Sequence, residues 1–191
     1  GFKTMVPAIF KLVFAWTISG IMGAKGGYLD AKGFVATNLA GLSVEWLFPA
    51  LFFILACAIS FATGTSWGTF GVLVPLAPAV LGSSGTMAIL TVSATLGGAV
   101  YGDHVSPISD TTILASTGGN CNHVDHVRTQ LPYASIIAGI AFVAYLIGGL
   151  FAFHGLSDVV SGLLMWVVAP ALFVGIVFLI RFIEKNKAVP T

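Results

Sequence analysis

Apolar residues run along this chain in blocks long enough to cross a lipid bilayer, and the polar residues that interrupt them gather at two places. A helical crossing needs about 20 apolar residues at 1.5 Å rise each. Residues 4–24 form one such run, broken only by Lys11, and residues 131–153 form a second without a charge. Residues 159–180 form a third, with Pro170 as a kink point. These runs predict three conventional transmembrane helices, with Lys11 snorkelling to an interface.

The middle reads differently. Residues 46–82 are apolar but are cut by Thr63-Gly64-Thr65-Ser66-Trp67-Gly68-Thr69. The two arms are each about 15 to 17 residues, short for a full crossing. A re-entrant hairpin with a polar tip is therefore expected over 46–82. Residues 86–101 are again apolar. They are followed by the polar run Gly102-Asp103-His104-Val105-Ser106-Pro107-Ile108-Ser109-Asp110 and by a short apolar piece over 111–116. Together these predict one discontinuous crossing over 86–116. Ser106-Pro107 reads as an N-cap followed by proline at the first helical position, which would open the second half-helix.

Composition fits this pattern. Apolar residues make up 57% of the 191 positions and charged residues 8%, against about 25% charged in soluble domains. So few charges cannot cover a water-exposed surface. The expected fold is all-α, a single polytopic transmembrane domain over 1–191. The net charge of +1, with no dense basic patch, excludes a nucleic-acid partner. Cys57 lies in an apolar helix and Cys121 in a polar loop, so no disulfide framework is indicated. The chain opens on Gly1 and enters an apolar run at once. It reads as the C-terminal fragment of a longer protein.

Basic residues set orientation. Arg181, Lys185 and Lys187 follow the last run, which predicts a cytoplasmic tail over 181–191. Counting back places His154 and Asp158 in an outer loop and Arg128 inside. The discontinuous helix and both ends of the hairpin then start from the outer face. Lys3 falls inside, in agreement with the rule, while Lys25 and Lys32 fall outside, against it.

The two interruptions are the candidate site. Non-helical backbone at membrane depth persists only where protein surrounds it or where it lines a watered cavity, and transporters use such breaks to surround ions or substrates. Asp103 and Asp110 are candidate carboxylates for a proton or a cation. Ser106, Ser109, Thr111 and Thr112 supply hard oxygen atoms beside them. Gly64, Thr65, Ser66 and Thr69 at the hairpin tip are the expected opposite wall. Small residues at Ser93, Ala94, Gly97, Gly98 and Gly102 allow another helix to approach closely. A rival reading takes Cys121, His123, Asp125 and His126 as metal ligands of a membrane metalloenzyme. The alternative is that His104, Asp125, His126 and Arg128 form a cytoplasmic loop that gates or senses pH.

Three motifs carry a family likeness: Gly64-Thr65-Ser66-Trp67-Gly68-Thr69-Phe70, Gly102-Asp103-His104 with Ser106-Pro107-Ile108-Ser109-Asp110-Thr111-Thr112, and Asp125-His126-Val127-Arg128-Thr129-Gln130-Leu131-Pro132-Tyr133. From residue 1 to about residue 150 the chain resembles the NhaC family of sodium/proton antiporters. The resemblance implies one half of an inverted-repeat transporter in the inner cell membrane, its N-terminal repeat lying outside this sequence. It implies no enzyme activity and no cofactor. Na+ at the ion site would be the only metal, exported in exchange for H+. It leaves room for a homodimer and for a second activity, sodium- or proton-coupled exchange of organic acids such as malate and lactate.

Overall fold

The computed structural model describes residues 13, 17, 37, 44–81, 85–155 and 158–187, and every regular element among them is helical. A 3-10 turn, Glu45–Leu47, leads into α1 (Phe48–Thr63). Then follow α2 (Ser66–Leu73), α3 (Leu76–Leu81), α4 (Thr86–Val105), α5 (Asp110–Gly118), α6 (His123–Phe153) and α7 (Asp158–Lys187). The expected span over 4–24 lies almost wholly outside the described residues, as do Lys3, Lys11, Lys25, Lys32 and residues 188–191.

The first polar interruption folds into a two-residue link. α1 starts with Pro49 in its first turn, where a missing N–H costs nothing. It ends at Gly64, whose left-handed backbone (φ 66°) turns its N–H back onto the Ser60 carbonyl at 2.8 Å. A side chain at Gly64 would also come within 2.9 Å of the Ile108 carbonyl oxygen. After Thr65 the chain re-enters helix as α2, and Pro75 separates α2 from α3. The two arms close on each other through Phe48, Phe52 and Ala77, and on α4 through Ala56, Leu73 and Ala99.

α4 lies along α1 and runs in the same direction. Gly98 sits against the Phe53 carbonyl and Gly102 against the Cys57 carbonyl, so helix backbones touch where a β-carbon would intrude. The Ser60 hydroxyl donates to the Ala99 carbonyl across this seam at 2.6 Å. α6 packs antiparallel to both helices. Its Tyr145 hydroxyl donates to the Ser93 carbonyl at 3.1 Å, Ser135 meets the Tyr101 hydroxyl at 3.0 Å, and Gly149 faces the Trp46 carbonyl. The small-residue positions of α4 thus serve α1 on one side and α6 on the other.

Among the described residues, Glu45–Thr63 and His123–Phe153 are long and apolar enough to cross a membrane, with mean hydropathies of 2.1 and 2.4. The hairpin arm therefore reaches further than its apolar run suggested, because the 3-10 turn extends it. α6 begins eight residues before the apolar run at 131, and α7 carries helix through Lys187 into the expected tail. The apolar stretch of α7 is Trp166–Leu179, and Trp166, Val167 and Phe178 are exposed along it.

The α1–α4 seam gives a direct test. Gly102→Ala places a β-carbon against the Cys57 carbonyl and costs about 1–3 kcal/mol, seen as a lower melting midpoint of the detergent-solubilised protein. Gly139→Ala, with no atom within 4 Å of the added carbon, leaves the midpoint near that of the parent.

Candidate functional site

The second polar interruption is shorter than its polar sequence suggests. α4 continues through Gly102, Asp103 and His104 to Val105, and only residues 106–109 are non-helical. Pro107 forces the residue before it toward extended backbone, so Ser106 (φ −75°, ψ 127°) closes α4 instead of opening the next helix. The N-cap of α5 is Ser109 (φ −72°, ψ 135°). This corrects the expected capping at Ser106. Its hydroxyl instead donates to the Phe61 carbonyl at the end of α1, at 2.7 Å, and so ties the break to the hairpin.

Asp103 is the centre of the cluster. It is 6% exposed, and its two carboxylate oxygens are divided between the two breaks. Oδ2 accepts from the Ser66 hydroxyl of the hairpin tip at 3.1 Å, and Oδ1 accepts from the Ser109 hydroxyl at 2.5 Å. Ser66 and Ser109 are themselves buried. Both donors are neutral, so the carboxylate is shielded from water without a cation among these partners. Removing a carboxylate from water carries a large solvation cost, and hydrogen bonds to a charged group return about 1.5–3 kcal/mol each.

The other candidate residues surround this pair in distinct roles. The Thr112 hydroxyl donates to the His104 carbonyl at 2.9 Å, capping the free end of α4. The Thr111 hydroxyl meets that of Ser109 at 2.8 Å. Thr69 is fully buried and donates to the Thr65 carbonyl at 3.2 Å, which stiffens the tip. Asp110 is exposed at the first position of α5, where Oδ1 accepts from the Thr111 N–H at 3.0 Å. The two aspartates therefore differ in kind: one is enclosed and shared between breaks, the other faces outward.

His104 is exposed, and Asp125, His126 and Arg128 occupy the first two turns of α6 instead of a loop. Asn122 caps that helix, its side chain accepting from the Val124 and Asp125 N–H groups. A residue read from sequence only as a metal candidate proves structural. His123 Nε2 lies 2.7 Å from the Pro107 carbonyl, and its Nδ1 lies 3.1 Å from the Ser116 hydroxyl. A carbonyl can only accept, so Nε2 carries a hydrogen. Among the described residues no three His, Cys, Asp or Glu side chains come together as a metal site. The only sequence sign of this latch is a histidine directly after an Asn N-cap.

The helix pairing also sets the level of the break. α6 runs antiparallel to α4, and Ser135 stands opposite Tyr101. Residues 106–109 are therefore level with the polar first turns of α6, about residues 127–131 by helical rise, and His123 reaches Pro107 from that end. The burial of Asp103 comes from protein packing near one end of the apolar run, whereas the sequence suggested mid-membrane depth.

Residues 1–150 match the Na+/H+ antiporter family. The chain belongs to this family. It is a membrane protein, and it is similar to an uncharacterised protein of Haemophilus influenzae, 44% identical over 82% of this chain and 30% of that protein. It is also similar to the malate-2H(+)/Na(+)-lactate antiporter of Bacillus subtilis (38% identical over 67% of this chain and 29% of the relative). A third relative is the arginine/ornithine antiporter ArcD of Halobacterium salinarum (42% over 59% and 24%). The chain thus spans less than a third of the length of these relatives. No solved structure matches it.

The latch predicts a selective effect. His123→Ala leaves the Pro107 carbonyl without this donor and lowers stability by about 1–3 kcal/mol, read as a lower melting midpoint. His123→Gln, whose amide nitrogen can occupy the place of Nε2, recovers most of the loss.

Proposed function

We propose that this chain supplies one wall of the ion site of a multi-pass inner-membrane antiporter that exports Na+ in exchange for H+. The observation that carries this reading is the enclosure of Asp103 between hydroxyls from two separate helix breaks. A bare carboxylate in such an enclosure is unfavourable, and either a proton or a bound cation relieves it. One carboxylate that accepts either a proton or a cation, and only one of them at a time, couples the two ions by competition. In this reading Asp103, Ser66 and Ser109 provide oxygen ligands to Na+, and Asp110 is an outer carboxylate that attracts the cation to the break. The hairpin is re-entrant, dipping from the outer face to the level of the break and returning. A matching half of the same protein closes the site from the other side, as inverted-repeat transporters do.

Exchange of organic acids is the second reading, favoured by the similarity to the malate-2H(+)/Na(+)-lactate antiporter. The carboxylate at the centre of the cluster favours a cation over an organic anion, which would need a positive partner here.

Everted membrane vesicles containing the full-length protein separate these readings. Asp103→Asn reduces Na+-dependent dissipation of ΔpH to background. Asp110→Asn keeps exchange but needs more Na+ for half-maximal rate. Normal exchange in Asp103→Asn would remove this site. A malate or lactate gradient that drives exchange where Na+ alone does not would establish the second reading.

A further inference from the structure

The hydroxyl of Thr111 stands apart from the oxygens that surround Asp103. It does not touch the carboxylate but joins the Ser109 hydroxyl at 2.8 Å, and Thr111 is exposed while Ser109 and Asp103 are buried. The donor in that contact follows from the neighbouring bond. Ser109 has one hydroxyl hydrogen, and a carboxylate oxygen can only accept, so this hydrogen points to Asp103 Oδ1. Thr111 must then be the donor to Ser109. The hydrogens of the chain Thr111, Ser109, Asp103 all point inward, and the outer oxygen of Thr111 is left to accept from water at the surface of α5.

We propose that Ser109 and Thr111 form a proton relay between the enclosed Asp103 carboxylate and the outside of the break, with Thr111 as its entry. The inference rests on the reading of Asp103 as the ion-carrying carboxylate and gives its proton a separate route. The transfer is balanced. A hydronium at the surface gives a proton to Thr111 Oγ1 and leaves as water, Thr111 passes its own hydrogen to Ser109 Oγ, and Ser109 passes its own to Asp103 Oδ1. The carboxylate becomes a neutral acid and each hydroxyl is regenerated with its hydrogen reversed. Release by this path runs the same steps backwards, because the reversed hydrogens already point outward; the hydroxyls rotate only when the proton leaves by another route and a second must enter. The second oxygen, Oδ2, faces Ser66 on the hairpin and lies off this path. The proton therefore reaches the carboxylate at Oδ1 through Ser109, an oxygen it shares with the proposed Na+ site.

Two exchange modes of the full-length protein in proteoliposomes test this. Na+/H+ exchange requires the proton path, whereas exchange of radiolabelled Na+ for Na+ does not. Thr111→Val removes the hydroxyl at nearly constant volume. It lowers the rate of Na+/H+ exchange by about tenfold or more while Na+/Na+ exchange and its half-saturating Na+ concentration stay close to the parent. Thr111→Ser, which restores the hydroxyl, recovers Na+/H+ exchange. Should Thr111→Val not reach the membrane, Thr111→Cys keeps a poor donor in the same place and shows the same split. Equal slowing of both modes would overturn the relay by making Thr111 a Na+ ligand or a packing residue, and no slowing of either would overturn it as unused. Asp103→Asn keeps the two levels apart: if it retains both modes, the carboxylate reading itself fails. If it loses Na+/H+ exchange while Thr111→Val behaves as the parent, only the relay fails.

Discussion

The Asp103 carboxylate shared between Ser66 and Ser109 is the interaction that holds the two broken regions together. Each break alone would leave carbonyls and N–H groups facing outward from a helix end, a costly state away from water. The structure meets this demand by crossing the breaks over each other. Ser106 from the second break caps the Phe61 carbonyl of the first, Thr112 caps the end of α4, and His123 reaches in for the Pro107 carbonyl. The carboxylate then completes a network whose members come from α2, α4, the break and α5. An enclosed acidic group is tolerable only because these donors are already in place.

That network needs the two breaks at the same level, and small residues in α4 make it so. α1 and α4 run parallel with glycines in contact with carbonyls, so the ends of both helices arrive together. Alternating large side chains along α4 would hold the helices further apart and take Ser66 out of reach of Asp103. Where α4 meets the hairpin core, the buried contacts from α1 and α4 are correspondingly small, Ala56 and Ala99. Close packing and site geometry are the same requirement seen from two directions.

Much of this arrangement was legible in the sequence. Apolar runs and the scarcity of charge pointed to a helical membrane protein, and the two polar interruptions marked the segments that now meet at Asp103. The resemblance to sodium/proton antiporters agrees with the family match. What the sequence did not distinguish was one aspartate from the other. Asp103 and Asp110 stand seven residues apart in one polar run, and only the position of the helix end decides which is enclosed. The position of the cap is hidden for a similar reason. Ser-Pro is a helix-opening pair by statistics, but here the Ser106 hydroxyl is taken by a carbonyl 45 residues away. Long-range partners of this kind leave no local trace, and neither does the reach of His123 across 16 residues.

The glycine contacts between α1 and α4 also bear on movement. A helix sliding past its neighbour must lift each side chain over the next ridge, and here there is no side-chain layer to act as a bearing. A shift of one helical turn, about 5.4 Å along the axis, would bring Ala94 or Ser106 to the carbonyls that Gly98 and Gly102 now face. The hairpin and α4 are therefore locked in step, like two racks cut to the same teeth. Any displacement of one of these elements must carry the other with it and occur along the outer faces of the pair.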